Sequence, residues 1–321
     1  MRMISKNFLF LKKKSLIKIK STQVLSSFFL ISSLFSTQSS FAREDLFSNP
    51  IPKIHSRSYL TSADYDSFFA TKNITQFGLR GTKKIVLTFD DGPAAQSTEA
   101  ILDTLKKYNI RATFFMLGMR AAGYPEILRR MKEEGHILAN HSYEHNNLRG
   151  SAYKDGKESS KKILSDLGKT HHYISTYADP THKLYFRAPF GSWLSTHPDL
   201  LNNDPVLSKY VGPIFWDIGG EVTLDKNGKI LAAADWSCWS SKYNFTPDKC
   251  AEGYLAETNR HQGGIILIHD ITMNSAEMVE ILIPKLIEDG YEFVTLDDIT
   301  SLDAYTVPPL LRALNVEDLK K

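Results

Sequence analysis

Between Lys84 and Leu296, short apolar runs rich in β-branched residues alternate with stretches whose apolar residues recur at helical spacing, and no linker interrupts them. This alternation constrains the fold more than any other feature of the chain. Strands that read as unbroken apolar runs are buried on both faces, which requires a parallel sheet covered by helices. The runs are Ile85–Phe89, Ala112–Leu117, Ile137–Ala139, Leu184–Phe186, Pro213–Trp216 and Ile265–Ile268, and Glu292–Leu296 reads as a last strand. Ser97 is placed to cap a first helix with Ile101, Leu105 and Tyr108 on one face. Pro125 opens a second with Ile127, Leu128 and Met131 inward, and Gly135 closes it. A third is predicted near Glu158–Leu167. A last one spans Ala276–Asp289, where Pro284 predicts a bend or a restart and Gly290 the end. At this length an α/β barrel accounts for the pattern better than an open sheet.

The flanks read differently. Seven of the 39 Lys and Arg lie in residues 1–42, which hold no acid, so the formal net charge of +3 hides a mildly acidic remainder of 32 bases against 36 acids. Such a body lacks the basic surface that nucleic-acid binding requires. The basic stretch leads into the apolar run Val24–Ser36 and then into Ser40-Phe41-Ala42, the layout of a secretory signal cleaved after Ala42. The apolar run is too short for a membrane span, which needs about 20 residues. The expected product is an exported protein, periplasmic or secreted, with no transmembrane anchor. Residues 43–82 read as an extended lead-in, 83–300 as the folded domain built from the alternating elements and 301–321 as a tail. In an oxidising compartment Cys238 and Cys250 can pair, and no Cys-x-x-Cys spacing points to a thiolate metal site.

Polar residues gather where the predicted strands end, the place where α/β barrels build active sites. The first strand runs into Thr88-Phe89-Asp90-Asp91-Gly92-Pro93, and two adjacent carboxylates there must have separate environments. Asp-Gly-Pro alone is also ordinary turn chemistry. The third strand is followed by His141-Ser-Tyr-Glu-His145. On a helical turn this spacing puts both imidazoles on one face, where they can join a carboxylate from another strand end around one metal ion. Arg187-Ala-Pro-Phe-Gly191, Asp235-Trp236 and Leu267-Ile268-His269-Asp270 complete the series.

In this order the five segments resemble the motifs of the polysaccharide deacetylase family (NodB homology, carbohydrate esterase family 4), over roughly Lys83–Ile299. The resemblance implies a distorted, incomplete (β/α) barrel. It also implies that Asp90 is the catalytic base and that Asp91, His141 and His145 are ligands of one divalent ion, zinc or else cobalt, nickel or manganese. Arg187 would orient the base, the Phe190 N–H would face the oxyanion, and His269 would be the general acid. Asp235 would keep that acid protonated, and Trp236 and Leu267 would line the acetyl pocket. The sequence departs from the family at the fourth motif, where Trp216-Asp217 and Asp235-Trp236 stand 18 positions apart. Asp217 is therefore a rival partner for His269, and the insertion between them is expected to reshape one wall of the groove.

Trp193, Trp236 and Trp239 are candidates to stack on sugar rings, whereas His136, His171 and His172 read as structural or solvated. The implied function is metal-dependent N-deacetylation of the GlcNAc or MurNAc units of a polysaccharide, peptidoglycan first. Chitin oligomers or acetylxylan are rival substrates. A carbohydrate-binding pseudo-enzyme is the alternative of another class, and an absent HEXXH motif disfavours a zinc peptidase.

Overall fold

The computed structural model describes residues 69–74, 78–150, 157–194 and 196–299. The expected signal segment, the expected tail and most of the expected lead-in lie outside these residues. Among the described residues ten strands and eight α-helices follow in order: β1 (Phe69–Ile74), β2 (Lys84–Asp90), α1 (Ala95–Lys107), β3 (Thr113–Met116), α2 (Gly118–Ala121), α3 (Pro125–Glu133), β4 (Ile137–Asn140), α4 (Lys157–Ser175), β5 (Leu184–Tyr185), α5 (His197–Asn202), β6 (Tyr210–Ile214), β7 (Thr223–Leu224), β8 (Ile230–Ala232), α6 (Asp235–Cys238), α7 (Pro247–His261), β9 (Gly264–His269), α8 (Met273–Glu288) and β10 (Glu292–Phe293).

The chain is an α/β protein whose parallel strands form a distorted, incomplete barrel. β2 is the hub, pairing in parallel with β9, β3 and β10, while β3 pairs with β4. A second parallel sheet runs β1-β6-β5. Two single-residue bridges join these sheets, Asn140 with Phe186 and Ile218 with Ile266. Side chains alternate across each strand. Ile85, Leu87 and Phe89 of β2 therefore pack outward against α1 and α8 residues such as Ile101, Leu105, Val279 and Leu282. Val86 faces inward with Phe115, Ala139, Tyr185, Val211 and Ile265. Both faces of the strand are dry, which is why the sequence reads as an unbroken apolar run.

Several local expectations change. Ser97 lies inside α1, whose N-cap is Ala94, and its hydroxyl donates to the Asp270 carbonyl instead. Pro284 sits within a single continuous α8, capped at its start by the Thr272 side chain. The strand expected at Pro213–Trp216 is β6, which begins at Tyr210 and ends at Ile214. The last strand stops at Phe293, and Leu296–Asp298 form a 3₁₀ turn closed by a Thr295–Asp298 capping box. The lead-in contributes β1, paired with β6.

The insertion after Asp217 carries the β7–β8 hairpin, and its Gly220 lines the pocket that holds Asp90 and His269. Ile230 is buried in the core, so close to α7 that a Cβ on Gly253 would meet it at 2.6 Å. Cys238 and Cys250 form a disulfide with their Cα atoms 6.0 Å apart, tying α6 to α7. No helix among the described residues is long and apolar enough to cross a membrane.

Candidate active site

Register places the chemistry. In the β2–β9 ladder Asp90 is the direct partner of His269, so two strand ends present a carboxylate and an imidazole at one level. Asp90 continues the inward series of Val86 and Thr88 and is buried. Arg187 follows the Asn140–Phe186 bridge, and its guanidinium fills the space beneath Asp90. Nη1 donates to Asp90 Oδ1 at 2.6 Å and to Thr88 Oγ1 at 2.8 Å. Nε donates to the Ile214 carbonyl at 2.9 Å and Nη2 to the Phe215 carbonyl at 3.2 Å. The cation also lies 4.1 Å from the centroid of the Phe115 ring. An arginine held by this many acceptors cannot swing, and it fixes the carboxylate it binds. Burial pushes the Asp90 carboxyl up; the Arg187 charge and hydrogen bond oppose that push without cancelling it.

His269 is held on its other side by Asp235, the first residue of α6. Asp235 is fully buried. Its Oδ1 lies 2.8 Å from His269 Nδ1, and its Oδ2 accepts the His269 N–H at 2.9 Å and the Ser275 hydroxyl at 2.7 Å. Burial alone would lower the imidazole. The Asp235 charge and hydrogen bond, helped by Asp90 and Asp91, override it and push His269 up to about 10. Burial would raise Asp235 in turn, but His269 and the Ser275 hydroxyl hold it below the usual carboxylate range. Asp217 is not a partner of His269. It accepts from Arg80 Nε at 2.9 Å and from the Ile265 N–H at 3.0 Å. Ile265 precedes His269 by four residues on β9, about 13 Å along an extended strand.

Asp91 leaves β2 with φ of 75° and turns its carboxylate to the loop after β4. Its Oδ1 lies 3.2 Å from His145 Nε2 and 3.5 Å from His141 Nε2. That oxygen is buried and has no hydrogen-bond donor. His141 Nδ1 is 2.8 Å from the Arg187 carbonyl. A carbonyl only accepts, so Nδ1 carries the proton and Nε2 presents its lone pair. Burial, against the opposing charge of Asp91, pushes His141 down to about 3 and keeps it neutral. One carboxylate oxygen and two imidazole nitrogens all lie within 4.8 Å of one another. An orphan buried oxygen facing two ring nitrogens is what a cation site needs, and three such ligands leave a position open for water and substrate.

The two histidines do not share a helical turn. Ser142 and His145 have φ of 70° and 58°, outside the helical region, so the loop curls and His145 meets Asp91 from a different direction than His141. Among the described residues eight non-glycines have positive φ, and Asp91, Ser142, His145 and Phe190 are four of them. Such conformations cost of order 1–3 kcal/mol each and persist where surrounding structure imposes them, often at functional sites. The glycine of the first motif has a steric reason. A Cβ on Gly92 would sit 2.0 Å from Asp270 Oδ2, and the Asp270 carboxyl is anchored by Thr98 Oγ1 at 2.6 Å.

These groups open into one pocket of about 500 Å³, lined by Asp90, Asp91, His141, His145, Phe190, Asp235, Trp236, Leu267 and His269 among others. Of the ten residues given a role by the family resemblance, nine line this pocket and Arg187 lies behind it; Asp217 and Trp193 are not part of the lining. Phe190 and Trp236 are 66% and 58% exposed, so they stand at the mouth, whereas Leu267 is buried. Phe190 has φ of 56°, and its ring packs on His145 at 4.4 Å. Trp239 and Trp216 also line the pocket. Trp193 is a core residue, against Phe186 and His197. His136 is buried and accepts the Ala112 N–H, and His171 bonds the Tyr210 hydroxyl.

The polysaccharide deacetylase family profile matches residues 78–206. A putative polysaccharide deacetylase of Bacillus subtilis, YheN, is 32% identical over 220 residues, 68% of either chain. The chain belongs to the polysaccharide deacetylase family. The peptidoglycan-N-acetylglucosamine deacetylase PgdA of Listeria monocytogenes is 31% identical over 225 residues, 68% of this chain but 39% of that protein. The chain thus spans about two-fifths of the length of that relative. The structure of Bacillus subtilis PdaA, a family 4 carbohydrate esterase, superposes with a TM-score of 0.54 at 25% identity, covering 69% of this chain and 83% of the other. In this deacetylase-family chain, sequence reasoning missed Ser275 and Tyr254, whose hydroxyl donates to the Leu267 carbonyl and accepts the Asp235 N–H. The Thr272-x-x-Ser275 cap following the Leu267–Asp270 motif was a usable signal for Ser275; a lone Tyr on a helix face was not.

Proposed function

We propose that the protein is a metal-dependent N-deacetylase acting on GlcNAc or MurNAc residues of peptidoglycan outside the cytoplasm. The observation that carries the reading is the pairing of opposites across one register step. Asp90 is a buried carboxylate fixed by Arg187, and facing it is an imidazole held cationic by Asp235, with the Asp91, His141 and His145 cluster beside them. A divalent ion held by those three residues, zinc in the first instance, would polarise the amide carbonyl and acidify the attacking water.

The chain's own groups divide the remaining work. Asp90 accepts the proton of the attacking water, a task helped by the upward push of burial on its carboxyl. Arg187 holds the carboxylate still while it does so. The Phe190 N–H, on a backbone set at positive φ between Pro189 and Gly191, faces the oxygen on which negative charge develops. An amine leaves only when protonated, and His269 supplies that proton to the sugar nitrogen. The products are acetate and a free amine on the glycan. Leu267 forms the floor for the acetyl methyl, while Trp236 and Phe190 offer apolar faces to the sugar rings at the mouth.

Peptidoglycan is favoured over chitin oligomers and acetylxylan by the Listeria relative and by the secretory layout of residues 1–42. The test is acetate release from purified peptidoglycan, chitin oligomers and acetylxylan in parallel. Turnover of peptidoglycan above the other two is expected. Efficient turnover of chitin oligomers or acetylxylan with peptidoglycan untouched would overturn the substrate while leaving the chemistry.

A further inference from the structure

The Asp235 carboxylate has a third donor that none of the five motifs contains. Ser275, fully buried in the first turn of α8, donates its hydroxyl to Asp235 Oδ2 at 2.7 Å. The direction of that bond is settled by the carboxylate, which when ionised only accepts, and the other partners of the serine oxygen follow from it. Trp239 Nε1, an obligate donor, points at Ser275 Oγ from 3.2 Å. Thr272 Oγ1 lies 2.9 Å away, and since the single serine proton goes to the acceptor-only Asp235 carboxylate, the Thr272 hydroxyl is the donor of this contact. Both lone pairs of the serine are then occupied, and its single proton points at Asp235. Donation converges on Asp235: Trp239 and Thr272 donate to Ser275, and Ser275 and His269 both donate to the Asp235 carboxylate.

We infer that Ser275, locked by Trp239 and Thr272, is a positioning residue for the Asp235–His269 pair and sets the orientation of the general acid. The inference rests on the deacetylase reading above. It also gives the Cys238–Cys250 bridge a place in the site, because Asp235, Cys238 and Trp239 occupy one short stretch that the disulfide ties to α7. Trp239 thereby serves two surfaces, lining the pocket with its ring and bracing the serine with its N–H.

The test is a double-mutant cycle on acetate release from an acetylated glycan that the wild type turns over. Hydrogen bonds to charged groups are worth about 1.5–3 kcal/mol, so Ser275→Ala should lower kcat by about tenfold or more. KM and bound metal should stay at wild-type levels, since the substrate mouth and the ligands are untouched. Trp239→Phe keeps an aromatic side chain while removing the N–H together with the five-membered ring of the indole, and should give a smaller loss in kcat. The decisive arm is the background: in Asp235→Asn, adding Ser275→Ala should change kcat less than about twofold, because residues acting through one another are not additive. Full additivity there, or an unchanged kcat in Ser275→Ala, would overturn the inference. If Ser275→Ala fails to fold, Trp239→Phe in the two backgrounds decides by the same criterion. A wild type without deacetylase activity would instead refute the underlying function.

Discussion

Replacing Asp235 by Asn would remove the charge that keeps His269 protonated, and the size of the effect follows from the site. The imidazole stands at about 10 against an ordinary 6.5, and burial acts in the opposite direction to the carboxylate. Without the carboxylate His269 should fall to 6.5 or below. A raised imidazole keeps its acid form at every pH below its folded value and loses it as pH rises through that value. The alkaline limb of the wild type should therefore lie far above neutrality, and that of Asp235→Asn near or below pH 6.5. A group at 6.5 is about 3% protonated at pH 8, so the variant should be at least about thirtyfold slower there, with a smaller deficit in mild acid. The assay is kcat/KM for acetate release across the pH range, with Asp217→Asn as the control. Asp217 serves Arg80 and Ile265, so its loss should leave the limb in place. An unmoved limb in Asp235→Asn, or a moved one in Asp217→Asn, would refute the assignment of the acid's partner.

Arg187→Leu strands Asp90 as an unpaired buried charge, and chemical denaturation should register a loss of about 3–5 kcal/mol; the Asp90→Leu, Arg187→Leu double variant should lose less, and equal losses would deny the pairing. Serine at both Cys238 and Cys250 opens a short loop and should lower unfolding free energy by about 3 kcal/mol, while two free thiols in non-reduced peptide maps of exported material would contradict the bridge. Gly92→Ala drives a Cβ into the anchored Asp270 carboxyl, an overpacking of about 1–3 kcal/mol; an unshifted melting temperature would mean that the loop yields freely.

Much of this architecture was legible because both faces of β2, β3, β4 and β9 are buried, leaving apolar runs that only a covered parallel sheet accommodates. The strand-end clusters were legible for the same reason, since a carboxylate or an imidazole closing a dry strand has no bland place to go. Geometry set by the backbone alone was not legible. His141 and His145 have helical spacing, yet Ser142 at φ 70° and His145 at φ 58° rule out the helix. Pro284 ought to interrupt α8, and the helix runs through it. The choice between Asp217 and Asp235 turned on strand register: one lies beside Ile265 and the other beside His269, a distinction absent from spacing in sequence. Ser97 had the composition of a cap, but tertiary contact with Asp270 claimed its hydroxyl.

The central claim is that Asp90 works on the proton while Asp91, His141 and His145 hold the ion, and one side-by-side measurement addresses it. Wild type, Asp90→Asn and His141→Ala are incubated with purified peptidoglycan. Acetate, new glycan amines by mass spectrometry, and protein-bound metal are quantified for each. The wild type should release acetate and expose amines in equal amounts. Asp90→Asn should retain its metal and release almost nothing, and His141→Ala should lose both metal and activity while staying folded. Loss of metal from Asp90→Asn, or full metal retention in His141→Ala, would contradict the division of roles between the two carboxylates.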